Sequence, residues 1–147
     1  MPLTRDEDIA ELLTSARTIA VVGASDRPNR PSYGVMKFLQ DWGYRVIPVN
    51  PQISETHLLG EFVWRELSQI GVPIDMVDIF RRPEMAMEAV EQAIFAGAKA
   101  VWMQIGVVNE EAAARAEAAG LKVVMDRCPK IEIPRLGIPK VAQPLNG

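Results

Sequence analysis

The run Thr18-Ile19-Ala20-Val21-Val22 breaks off at Gly23-Ala24-Ser25-Asp26. A short β-branched apolar run bounded by glycine and small polar residues reads as a strand buried on both faces, as in parallel sheets. An amphipathic helix follows within about a dozen positions. This strand–turn–helix unit presents backbone N–H groups at the turn and at the helix start. Those groups hold anions without a cationic side chain. The turn therefore predicts a nucleotide-like ligand.

The rest of the chain repeats the unit. The spacing predicts helices over 33–42, 83–96 and 109–119, each followed by glycine (Gly43, Gly97, Gly120) and at once by an apolar run. Further strands are expected at 44–49, 60–64, 75–80, 100–104 and 121–125, with a short helix near 66–70. Thr4-Arg5-Asp6-Glu7 matches a capping box ahead of an opening helix carrying Ile9, Leu12, Leu13 and Ala16. Repeated βα units imply an α/β fold. The expectation is a Rossmann-like, doubly wound parallel sheet of about six strands in the order 3-2-1-4-5-6, with helices on both faces. One domain over 1–147 is expected, with a proline-containing tail from about residue 126 that reads as an extended cover over one edge.

Net charge is −3, which argues against a broad nucleic-acid footprint. The one cysteine, Cys128, excludes an intramolecular disulfide framework and suits a reducing, cytoplasmic setting. The polar N-terminus is no signal peptide, and no segment approaches the roughly 20 apolar residues of a membrane span. No metal-ligand cluster and no catalytic residue is expected.

Ligands of such sheets bind beyond the carboxyl ends of the strands. Those ends are Gly23 to Asp26, Asn50-Pro51, Phe80 to Pro83, Gln104-Ile105-Gly106 and Asp126 to Pro129. A dinucleotide fingerprint would need glycine at 25 and 28, where Ser25 and Pro28 stand. The second strand ends in Asn50 rather than an acid that would hold an NAD ribose. NADP is the weaker option, with arginines close by. The Walker pattern is missing, so ordinary phosphoryl transfer is unsupported.

Val21-Val22-Gly23-Ala24-Ser25, Tyr33-Gly34, Val46 to Pro51, Asp78 to Pro83, Gln104-Ile105-Gly106 and Asp126 to Pro129 stand in an order and spacing that resembles the stand-alone CoA-binding domain proteins. That family is similar to the N-terminal domain of the succinyl-CoA synthetase alpha subunit. The resemblance implies CoA or an acyl-CoA lying across the strand ends. It implies a phosphate turn at Gly23, Ala24, Ser25 and Asp26, with Arg27, Arg30, Ser32 and Tyr33 nearby. Asn50 and Pro51 would flank the adenosine phosphates. Phe80, Arg82 and Pro83 would border adenine or pantetheine, and Gln104 and Ile105 would touch CoA as well. CoA carries a pyrophosphate and a ribose 3′-phosphate, which suit backbone donors plus arginines. The synthetase's catalytic histidine lies in a further domain, so the resemblance supports binding without ligase chemistry. The alternative is an NADP-dependent or acyl-CoA-using enzyme completed by Cys128 or by a partner chain. A homodimer or an unidentified protein partner is compatible with the sequence.

Plainer readings stand beside these. His57 reads as a solvated loop residue, Cys128 as a buried or half-buried thiol, and Trp42 and Trp102 as packing residues. Strand alternation lets only one of Arg81 and Arg82 face a ligand. Gly23→Val is expected to block phosphate approach while sparing the fold.

Overall fold

A computed structural model describes residues 1–141. Seven strands and five α-helices alternate along it: α1 (Asp6–Ser15), β1 (Thr18–Val22), α2 (Pro31–Asp41), β2 (Arg45–Val49), β3 (His57–Leu58), β4 (Glu61–Phe62), β5 (Met76–Ile79), α3 (Ala86–Phe95), β6 (Ala100–Met103), α4 (Glu110–Ala118), β7 (Lys122–Val124) and α5 (Pro129–Arg135). Five strands form one parallel sheet in the order β2-β1-β5-β6-β7. The α/β class and the doubly wound order are as the sequence implies.

The segment expected as the third strand departs from that order. Glu61–Phe62 pairs antiparallel with His57–Leu58 in a separate hairpin. Trp64 joins the sheet by an isolated parallel bridge to Val49: its N–H donates to Pro48 O (3.0 Å) and its carbonyl accepts from Asn50 N–H (2.8 Å). The outer position of the predicted order is thus a single bridge beside β2.

Alternating side chains divide the core into two layers. Ile19, Val21, Met76, Ala100, Trp102 and Val124 face α1, α2 and α5, meeting Ile9, Leu13, Val35, Met36, Leu39 and Ile133. Ala20, Val22, Val77, Ile79, Val101, Met103 and Val123 face α3 and α4, meeting Ala89, Val90, Ala93, Ala112, Ala113 and Ala116. The alanine-rich second layer lets those helices sit close to the sheet. Trp102 is fully buried, and its Nε1–H donates to Arg127 O (2.8 Å), fixing the loop beyond β7. Asn109 caps α4 by accepting from Ala112 N–H at 2.9 Å, as its position implies.

Two local expectations fail. The capping box does not form, because Leu3 N–H is tied to Val123 O (2.7 Å) and the helix starts at Asp6, leaving Arg5 rather than Thr4 at the cap position. The acidic first turn (Asp6, Glu7, Asp8) suits the helix dipole instead. The tail is not simply extended. Pro129 opens α5 at a position where its missing N–H costs nothing, and Pro134 is carried within the helix. Pro144 lies outside the described residues.

Helix α5 is anchored by charge as well as by Ile133. Glu132 accepts from Arg127 (3.0 Å) and Arg135 (2.7 Å), and Arg135 reaches on to Asp6 of α1 (2.9 Å). Burial pushes the Glu132 carboxyl up, but the hydrogen bonds from Arg135 and Arg127 outweigh it and hold the group below its ordinary value. A depressed folded-state pKa stabilises above the unfolded value and is lost as pH falls through the folded one. Glu132→Gln is expected to lower stability at neutral pH by about 1–2 kcal/mol, with screening at half-exposed Arg135 keeping the figure modest. In urea titrations the gap between variant and wild type should close below about pH 4. A gap that persists there would assign the loss to packing.

Candidate functional site

The topology reverses at β1. The chain leaves β1 for β2 on one side, then returns across the sheet to β5 on the other. At such a switch point the loops diverge and leave a crevice at the carboxyl ends. A cavity of about 880 Å³ opens there, within the roughly 300–1,000 Å³ usual for small-molecule sites.

Gly23 holds the turn. Its φ is +86°, and its N–H donates to Val49 O at 3.0 Å. A Cβ added here would stand 2.0 Å from Phe80 O. The close approach that demands glycine is therefore between β1 and the end of β5, inside the fold. The expectation that Gly23→Val would spare the fold is corrected on that ground.

The next three residues line the cavity, and the N–H groups of Ala24, Ser25 and Asp26 have no acceptor among the described residues. Asn50 steadies them from β2: its Nδ2–H donates to Ala24 O (2.7 Å). Ser25 Oγ accepts from Arg27 N–H at 3.1 Å and shapes the following loop. Pro31 starts α2, and Ser32 is its second residue. Ser32 is 5% exposed, has no hydrogen-bond partner for its hydroxyl among the described residues, and opens on the cavity. Arg27, Arg30 and Arg81 line the same space and make no ion pair among the described residues. Arg82 lines it too, beside Glu84 at 3.4 Å. Both Arg81 and Arg82 face the cavity because β5 ends at Ile79 and the alternation that would separate them has stopped.

The rest of the lining is less polar. Phe80, Gln104, Ile105, Gly106, Val107, Cys128 and Ile131 contribute, with Ile105 and Ile131 more than half exposed at the rim. Gly106 N–H donates to Asp126 Oδ1 (2.8 Å), joining the loops after β6 and β7. The lining thus combines arginines without an ion pair and N–H groups without an acceptor, among the described residues, with aliphatic groups. That arrangement suits a ligand with an anionic head and an apolar arm.

Of the residues expected at the site, Gly23, Ala24, Ser25, Asp26, Arg27, Arg30, Ser32, Asn50, Phe80, Arg82, Gln104 and Ile105 line this cavity. Tyr33, Pro51 and Pro83 do not. Tyr33 is one helical step beyond Ser32 and turns into the core layer of α2. Pro51 is exposed because Asn50 Oδ1 accepts from Gln52 N–H (2.8 Å), a turn that brings Gln52 and Ile53 to the cavity in its place. Pro83 starts a 3-10 turn, and its carbonyl accepts from Asn109 (2.9 Å). The sequence reading missed Val35, Gln52, Ile53, Val107 and Ile131. Val35 was legible, lying one turn after Ser32 on the same face. Ile131 was not, because it depends on α5.

Fold and cavity define a Rossmann-like domain with a cavity at its topological switch point. A family model for the CoA binding domain matches residues 17–134, and the chain belongs to that family. YneT of Bacillus subtilis is 44% identical over 124 residues, covering 84% of this chain and 90% of YneT. A solved protein from Pyrococcus horikoshii OT3 superposes with a TM-score of 0.86 at 44% identity, covering 92% of this chain and 96% of its own. The alpha subunit of an ADP-forming acetate–CoA ligase from Pyrococcus furiosus is 30% identical over 95 residues, spanning 62% of this chain and 21% of that subunit. Among the described residues no helix is long and apolar enough to cross a membrane.

Proposed function

We propose that this chain binds coenzyme A, or an acyl-CoA, in the cavity at the strand ends. One observation carries the reading: Ala24, Ser25 and Asp26, whose N–H groups have no acceptor among the described residues, line the same cavity as Arg27, Arg30 and Arg81, which make no ion pair among them. Donors of that kind and number suit a pyrophosphate with a further phosphate beside it. Ser32 at the helix start adds a hydroxyl donor. Phe80 and Arg82 would border adenine or pantetheine, and Asn50 supports the turn. Gln104 and Ile105 would meet the pantetheine arm, whose thiol end would run toward Val107, Cys128 and Ile131.

Family membership and the name of the ligase relative both support a CoA ligand. The chain spans 21% of that relative, so ligase chemistry is not carried over. The proposal is one of binding, and no catalytic step is assigned to any residue.

Isothermal titration against CoA, acetyl-CoA, NADP and ATP tests the reading. Saturable binding of CoA or acetyl-CoA, with ATP and NADP much weaker, is the expected result. The double variant Arg27→Ala/Arg30→Ala should weaken CoA by about tenfold to a hundredfold, from loss of charge-assisted contacts. It should leave the unfolding midpoint in place, because neither side chain has a partner among the described residues. Preferential NADP binding would favour the dinucleotide alternative. Unchanged CoA affinity in the double variant would move the phosphates elsewhere.

A further inference from the structure

Asp78 is an acid in the middle of the sheet. Its neighbours in register are Val21 on β1 and Trp102 on β6, and it is 0% exposed. One end of the Gln104 amide lies 2.8 Å from one carboxyl oxygen of Asp78 and 3.1 Å from the other. Gln104 is 7% exposed and lines the cavity.

Two hydrogen-bond arrangements fit those distances. An ionised Asp78 must accept from Gln104 Nε2, which turns the amide carbonyl toward the cavity. A protonated Asp78 donates its O–H to Gln104 Oε1, which turns the NH₂ group toward the cavity. The two present opposite chemistry to a ligand. A buried carboxylate without a cation is costly, and a neutral acid is the usual outcome. Burial raises the Asp78 carboxyl well above its ordinary range, and no charged neighbour opposes the shift.

We infer that Asp78 is a positioning residue, whose protonated carboxyl donates to Gln104 Oε1 and fixes the amide with Nε2–H toward the cavity. The group it selects for is a hydrogen-bond acceptor, such as an amide or thioester carbonyl on a pantetheine arm. That last step rests on the proposed CoA reading.

Three measurements test the inference. Infrared difference spectra of the ligand-free protein, wild type minus Asp78→Asn at neutral pH, should show the C=O stretch of a protonated carboxyl. Carboxylate bands in its place would overturn the inference. In NMR spectra, Gln104 side-chain amide protons should exchange readily with water, as a group facing the cavity does. Strong protection would mean that Nε2 is buried against Asp78, again the contrary result. In CoA titrations Asp78→Asn, which keeps an N–H donor for Gln104 Oε1, should stay within about threefold of wild type, whereas Asp78→Val should lose about tenfold. Equal losses in two folded variants would also count against it. Should wild type bind no CoA, the functional proposal fails, while the infrared and exchange results still decide the state of the pair.

Discussion

Gly23→Ala is expected to lose about 3 kcal/mol of stability or more, with the denaturant dependence of unfolding unchanged. Two costs add. The residue sits at φ +86°, where a side chain is strained, and its new Cβ would lie 2.0 Å from the carbonyl oxygen of Phe80. Phe80 cannot yield cheaply, because its N–H is held by Val22 O at 2.8 Å as the sheet ends. Relief requires the chain after β5 to move away from β1, and that movement takes Arg81 and Arg82 with it. The variant should therefore lose CoA affinity and stability together. Against a total of about 5–15 kcal/mol for a domain, the loss is easily read from a urea midpoint. A shift below about 1 kcal/mol would mean that the turn adapts without strain, contrary to the geometry described above.

Gly23 also shows how far the sequence speaks. A β-branched run ending in glycine identifies a strand and a tight turn from local chemistry alone, and the strand ends bearing Asn50, Phe80 and Gln104 follow from the same rule. The reason for the glycine was hidden, because Phe80 is far along the chain and only pairing of β1 with β5 brings it near. Arg81 was undervalued because alternation was carried one residue past the strand. Helix α5 was missed because Pro129 and Pro134 read as breakers, although Pro129 stands where proline is tolerated. Two-residue strands such as β3 and β4 leave no periodic trace, so the hairpin was beyond reach. Nothing local in the sequence marks Asp78; its burial between β1 and β6 sets it apart.

The second large effect concerns that acid. Asp78→Asn is expected to become more stable relative to wild type as pH rises. The carboxyl is raised in the folded state by burial. A folded protein that keeps a proton released by the unfolded chain loses stability with rising pH, between the unfolded and folded pKa values, by about 1.4 kcal/mol per pH unit. Asparagine has no such proton. The difference between variant and wild type should thus move steadily in favour of the variant as pH rises above the ordinary aspartate range. Other titratable groups in the same layer do not mimic this. Glu132 is paired with Arg127 and Arg135. Tyr44, which donates to Leu13 O, is pushed up to about 12 by burial. Cys128 is buried there too, and it is common to both proteins. Urea unfolding of the two proteins across that range gives the test. A difference that is flat with pH would mean that Asp78 is ionised in the fold.

A crystal grown with coenzyme A reads directly whether the turn after β1 grips a pyrophosphate. Pyrophosphate oxygens are expected within about 3 Å of the N–H groups of Ala24, Ser25 and Asp26, with guanidinium groups of Arg27, Arg30 or Arg81 on the remaining phosphate oxygens. Coenzyme A seated elsewhere on the protein, with those N–H groups bonded only to water, would contradict it.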